Sequence, residues 1–198
     1  MGEANSVACE GKPNVTDTFA QALFTTAQEM TYTTMGASRF FLHQGATLSR
    51  PGENTTNKPT PDGTPSFSAY SLLYPVDSES RGKHRVNPGF VSQLFMAEAF
   101  GKHGKTRFAR LEAPQGIDPA RFFGVAVYDE HSSKKGPSRL LLMNTTPYSV
   151  NSTEPAGNWS LDVSGLIHPA QKKVVAKRMT APYVDELDTA KVSCQLRE

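Results

Sequence analysis

The chain has 198 residues, a formal net charge of +2 and a charged fraction of 20%. So balanced a charge makes no case for nucleic acid or an anionic membrane surface as partner. No run of 18 apolar residues occurs, so no membrane-spanning helix is predicted.

In chain order, the first block is Gly2-Glu3-Ala4-Asn5-Ser6. A carboxylate flanked by small and amide side chains suits the carboxyl end of a buried barrel strand, where room is left for a sugar ring. Residues 14–35 then read as a helix. Thr16 or Asp17 can cap it, and Phe19, Ala20, Leu23, Phe24, Ala27 and Met30 recur near the 3.6-residue period. Gly36 is a terminator able to take a positive φ. Arg39 to His43 is short, aromatic-rich and bounded by glycines, and is predicted to be a buried strand. Strand, helix and strand together form the unit from which parallel sheets and barrels are built. In a barrel the chemistry sits on loops after the strand carboxyl ends, where Glu3 and the His43-Gln44-Gly45 turn would lie.

Residues 46–87 read as one long irregular loop, broken by Pro51, Pro59, Pro61, Pro65 and Pro75. Within it 49–66 is expected to be a flexible surface insertion, and Ser68 to Val76 to be more ordered. A second helix follows, with Asn87 as candidate cap, Pro88 at its first position and Gly101 at its end. From residue 105 the period becomes strand-like. Candidate strands are Thr106 to Leu111, Arg121 to Tyr128, Ser138 to Asn144, Trp159 to Val163, Val174 to Met179 and Lys191 to Cys194. Short strands at this spacing predict a β-sandwich. Trp159 reads as a sandwich core residue or as a sugar-stacking platform.

Other chemistries fail on spacing. Gly104-Lys105-Thr106 lacks the earlier glycine of a phosphate loop, Ala99 standing there. His43, His84, His103, His131 and His168 are scattered and no His-Glu-x-x-His occurs, so no metal site is predicted. No Gly-x-Ser-x-Gly elbow is present. Asn14, Asn54, Asn144, Asn151 and Asn158 stand in Asn-x-Ser/Thr sequons, which suits a glycosylated, secreted protein. No basic segment followed by an apolar one opens the sequence. A chain that begins inside a larger protein reconciles the two, the signal then lying upstream. Cys9 and Cys194 can pair or remain thiols.

The order of these blocks resembles glycoside hydrolase family 79, the β-glucuronidase and heparanase family. The likeness rests on Gly2 to Ser6, on Cys9-Glu10-Gly11-Lys12-Pro13, and on Arg39-Phe40-Phe41-Leu42-His43-Gln44-Gly45. It continues in Phe95-Met96-Ala97-Glu98-Ala99-Phe100-Gly101, in Leu140 to Asn144, and in Lys177-Arg178-Met179-Thr180-Ala181-Pro182 followed by Asp185-Glu186. It implies an α/β plus all-β chain: residues 1–104 as the end of a (β/α)8 TIM barrel, and 105–198 as an antiparallel β-sandwich domain. It also implies a retaining mechanism with Glu3 as nucleophile and no cofactor. Asn5, His43, Gln44, Gly45 and Tyr70 are the implied substrate-binding residues, and the implied substrate is a glucuronide-type glycan. The acid/base glutamate of the family lies on an earlier barrel strand. Glu10, Glu53, Asp62 and Asp77, the nearest later carboxylates, stand in no context suited to that work, so the chain alone is expected to be inactive. Family members place a Gly and a Tyr just after the His-Gln-Gly turn to hold the uronate. Here Ala46, Thr47 and Leu48 follow, and Tyr70 is the candidate from beyond the insertion, its other reading being a packing residue. The rival expectation is a non-catalytic β-sandwich module that binds carbohydrate or another chain.

Overall fold

The computed structural model describes residues 2–7, 11–44, 68–77, 81–102, 104–130, 136–153, 155, 157–166 and 174–197. The expectations for Cys9, Glu10, Gly45, Asn54 and the 49–66 insertion lie outside these residues.

Helix α1 runs Phe19–Thr34. It starts later than the periodicity suggests, because Asn14 takes a positive φ of 60° in the turn that precedes it. Neither Thr16 nor Asp17 caps it. The N-cap is Thr18, which makes no side-chain cap bond. The first amides instead find distant carbonyls: Phe19 N–H donates to Glu186 O at 2.8 Å and Ala20 N–H to Val184 O at 2.7 Å. A helix start leaves such donors open, and any acceptor of suitable geometry satisfies them. At the other end the helix stops at Thr34, with Gly36 at φ 87° just beyond.

The expected strand over Arg39 to His43 forms a single parallel bridge, Ala4 to Leu42. It is not buried as expected: Phe41 is 53% exposed. Two short strands, β1 (Leu73–Tyr74) and β2 (Arg85–Val86), then pair antiparallel within the stretch read as irregular. Helix α2 is Gly89–Phe100 and ends at Gly101, φ 71°. Pro88, not Asn87, is its N-cap. The Asn87 amide is drawn away to donate to Ser71 O at 2.6 Å and to accept from Arg85 Nε at 3.0 Å.

Strands β3 (Thr106–Leu111), β4 (Phe122–Asp129) and β5 (Arg139–Asn144) form an antiparallel sheet with β4 in the centre. Phe108 stands opposite Val127, and Val125 opposite Leu141. That register puts all four on one face, where Met30 of α1 and Met96 and Ala99 of α2 complete the core. Burying each such side chain contributes about 1.5–3 kcal/mol. This core draws on both sides of the 104/105 boundary. Strand β4 is buried in a near-continuous run rather than alternately. Its other face is partly covered too, with Trp159 tilted against Phe122 at 5.7 Å between ring centroids. Trp159 to Val163 is not a strand in the structure. The chain there follows the sheet through Asn144 Nδ2–H, which donates to Gly157 O at 2.7 Å.

Strands β6 (Ala176–Thr180) and β7 (Ser193–Arg197) form a separate antiparallel ribbon. Between them Val184 N–H donates to Tyr148 O at 2.8 Å, and Tyr183 stacks on Tyr148 at 5.6 Å. Cys194 is a free thiol. Among the described residues no helix is long and apolar enough to cross a membrane.

Candidate functional site

Glu3, Asn5, His43, Gln44 and Tyr70 come together at one end of the Ala4–Leu42 pair. The backbone sets the register. Ala4 N–H donates to Phe41 O at 3.0 Å, and His43 N–H donates to Ala4 O at 2.9 Å. Asn5 locks it with its side chain, Nδ2–H donating to His43 O at 2.8 Å. The same carbonyl accepts from Gln44 Nε2–H at 3.0 Å. Gln44 Oε1 accepts from Leu72 N–H at 2.8 Å, which fastens the turn that carries Tyr70 to this strand end.

His43 is the hub. Its Nδ1 lies 2.6 Å from the Tyr70 hydroxyl, and its Nε2 lies 3.7 Å from Glu3 Oε1. The Glu3 side chain is 72% exposed, so the carboxylate is open to an incoming molecule. Tyr70 is only 3% exposed and its hydroxyl meets His43. It therefore touches the site through His43 rather than reaching a sugar directly. Its ring is pinned from behind by Gly11, φ 79°, where a Cβ would stand 2.8 Å from Tyr70 Cδ1.

Sequence reasoning missed the support under this cluster. Gln21, on α1 and 2% exposed, donates from Nε2 to Asn5 Oδ1 at 2.6 Å and to Thr25 Oγ1 at 3.3 Å. Ser6 N–H donates to that same Asn5 oxygen at 2.7 Å. Glu29, one helical turn beyond Thr25, is 4% exposed and accepts from Gln93 Nε2–H of α2 at 2.7 Å. The signal was present in the sequence: Gln21, Thr25 and Glu29 recur every four residues, a polar stripe on one helix face.

A second polar cluster lies at the foot of α1. Asp17 is buried, with Oδ2 3.5 Å from Arg85. The Arg85 guanidinium lies over the Tyr74 ring at 4.3 Å. Burial pushes the Asp17 carboxyl up, while its own and Asn14's backbone bonds and the Arg85 and Arg81 charges oppose that. Burial likewise pushes the Tyr74 phenol up, and the Asp17 charge adds to it.

The arrangement offers an exposed carboxylate held beside an imidazole at a single parallel bridge. Among the described residues no group of three or more His, Cys, Asp or Glu side chains could hold a metal ion. The chain matches no family model, no curated protein and no solved structure.

Proposed function

We propose that the chain carries the nucleophile, Glu3, of a secreted retaining glycoside hydrolase acting on β-glucuronide-type linkages. On this proposal residues 1–104 close a (β/α)8 barrel, and a β-sandwich follows. The observation that carries it is the single parallel bridge of Ala4 with Leu42, which sets Glu3 beside His43 between two segments joined by α1. Parallel strands with a helical crossover put chemistry at their carboxyl ends; His43 follows Leu42 on that side, while Glu3 precedes Ala4 and faces His43 through its side chain.

Retention needs two carboxyl groups about 5–5.5 Å apart. Glu3 attacks the anomeric carbon as the bond to the leaving oxygen breaks and that oxygen takes the proton of the second carboxyl. Water then adds to the anomeric carbon, its proton passes to the second carboxylate, and the ester to Glu3 opens. The second group belongs to an earlier barrel strand, outside these 198 residues. Among the described residues the Glu3 carboxylate faces His43, with Oε1 3.7 Å from Nε2.

Chemical rescue tests the assignment in a protein that includes that earlier strand. Glu3→Gly should abolish turnover of an aryl β-glucuronide, and azide should restore it with an α-glucuronosyl azide as product. A β-configured azide, or turnover left intact by Glu3→Gly, would remove Glu3 from the nucleophile's role.

A further inference from the structure

We infer that Tyr70 sets the tautomer of His43, and so determines that an N–H rather than a lone pair faces Glu3. Its significance for catalysis rests on the nucleophile proposed above. The tautomer itself does not.

The neutral imidazole has one proton to place. An ionised carboxylate only accepts hydrogen bonds, so an unprotonated Nε2 would set its lone pair against Glu3 Oε1, 3.7 Å away. With the proton on Nε2, the other ring nitrogen, Nδ1, must accept. The group facing Nδ1 at 2.6 Å is the Tyr70 hydroxyl, which can donate. The donors then run in one sense: Tyr70 O–H bonds Nδ1, and Nε2–H points toward Glu3 Oε1 at 3.7 Å. Which ring nitrogen carries the proton follows from the bond made by the other.

Three features hold Tyr70 to this task. It is almost fully buried, at 3% exposure. Its ring meets the imidazole edge-on, at 5.7 Å and 67°. Its turn is latched to the His43 strand through Gln44 and Leu72. A separation of 3.7 Å is longer than a formed hydrogen bond, but catalytic contacts often tighten only when substrate binds. Contact at Oε1 leaves Oε2 as the oxygen free to attack. Tyr70 is thus a positioning residue, acting through His43.

The test is nitrogen NMR of the 198-residue chain labelled at histidine, at a pH where the ring is neutral. His43→Gln identifies the signal by its loss. The unchanged chain should show His43 with a protonated Nε2 and a bare Nδ1. Tyr70→Phe should draw the two nitrogens toward a common, averaged position. A wild-type His43 protonated on Nδ1 overturns the inference, and so does a Tyr70→Phe chain that keeps the unmixed Nε2–H signature. The wild-type spectrum can overturn the inference even if that variant does not fold. In a protein that includes the acid/base strand, Tyr70→Phe should also slow labelling of Glu3 by a fluoro-glycoside by on the order of tenfold or more. If Glu3 takes no label at all while the Nε2–H signal is present, the nucleophile assignment fails and the tautomer assignment stands.

Discussion

The Phe19 amide donates to the Glu186 carbonyl at 2.8 Å, joining the start of α1 to the loop between β6 and β7. That helix carries Gln21, which holds Asn5, which holds His43. The carboxyl-terminal segment therefore steadies the candidate site without touching it. Hydrogen exchange should find the Phe19 and Ala20 amides protected, unlike the open amides of an uncapped helix start. Val184→Pro removes the donor to Tyr148 and disturbs this loop. It should speed exchange at both positions by about fivefold, for a bond worth about 1 kcal/mol. Exchange at Phe19 and Ala20 as fast as in an exposed turn would show that the long-range cap does not form.

Asp17 is buried and pairs with a half-buried Arg85. Arg85→Met leaves the Asp17 carboxylate without its nearest counter-charge and should cost about 3 kcal/mol in a urea titration at neutral pH. Adding Asp17→Asn to that variant should recover part of the loss. A double variant less stable than Arg85→Met alone would mean that Asp17 contributes through its charge in some other way.

Glu29 makes the opposite kind of prediction. Burial between the helices pushes its carboxyl above the ordinary value of 4.5, against the bond from Gln93. The folded chain then binds a proton that the unfolded chain has released. The stability this confers is complete below about 4.5 and is lost as pH rises through the raised folded value. Glu29→Gln keeps an acceptor for Gln93 and removes the buried charge. It should raise the urea midpoint at pH 8 and flatten the dependence between pH 4 and 8, by on the order of 1 kcal/mol at the alkaline end. An unchanged pH dependence would place the charge in water after all.

The sequons separate by structure. Asn151 and Asn158 are exposed. The Asn144 amide is engaged at both ends, Nδ2–H on Gly157 O at 2.7 Å and Oδ1 accepting from Thr146 N–H at 3.0 Å. Protein made through a secretory pathway should carry glycans at Asn151 or Asn158 and not at Asn144. Mass spectrometry that finds Asn144 occupied would contradict this placement.

The parts of the fold visible in the sequence are those governed by neighbours in the chain. Gly36 and Gly101 end their helices where a positive φ is needed, and the strands β3 to β5 follow from their turn clusters. The cap of α1 was invisible, because its acceptors lie at Val184 and Glu186. The inner face of α1 was misread for a related reason. Phe19 and Met30 are buried as their spacing suggests, yet Phe24 is 41% exposed and the buried side also holds Gln21, Thr25, Thr26 and Glu29. Polar residues go inside when partners are waiting for them, and here Asn5 and Gln93 come from outside the helix. Of the site, Glu3 and Asn5 were legible in one block and His43 and Gln44 in another. Tyr70 reads from sequence as a sugar contact or a packing residue, and its burial against Gly11 and His43 depends on packing across more than one turn.

The assignment of Glu3 is tested most directly by trapping the intermediate. A longer protein that contains this chain and the acid/base strand of the proposal should be treated with an activated 2-deoxy-2-fluoro-β-glucuronide and digested. The label is predicted on the peptide that contains Glu3, as an ester of its carboxyl group, and Glu3→Gln should take none. A label on any other carboxylate, with Glu3 unmodified, would contradict the proposed nucleophile.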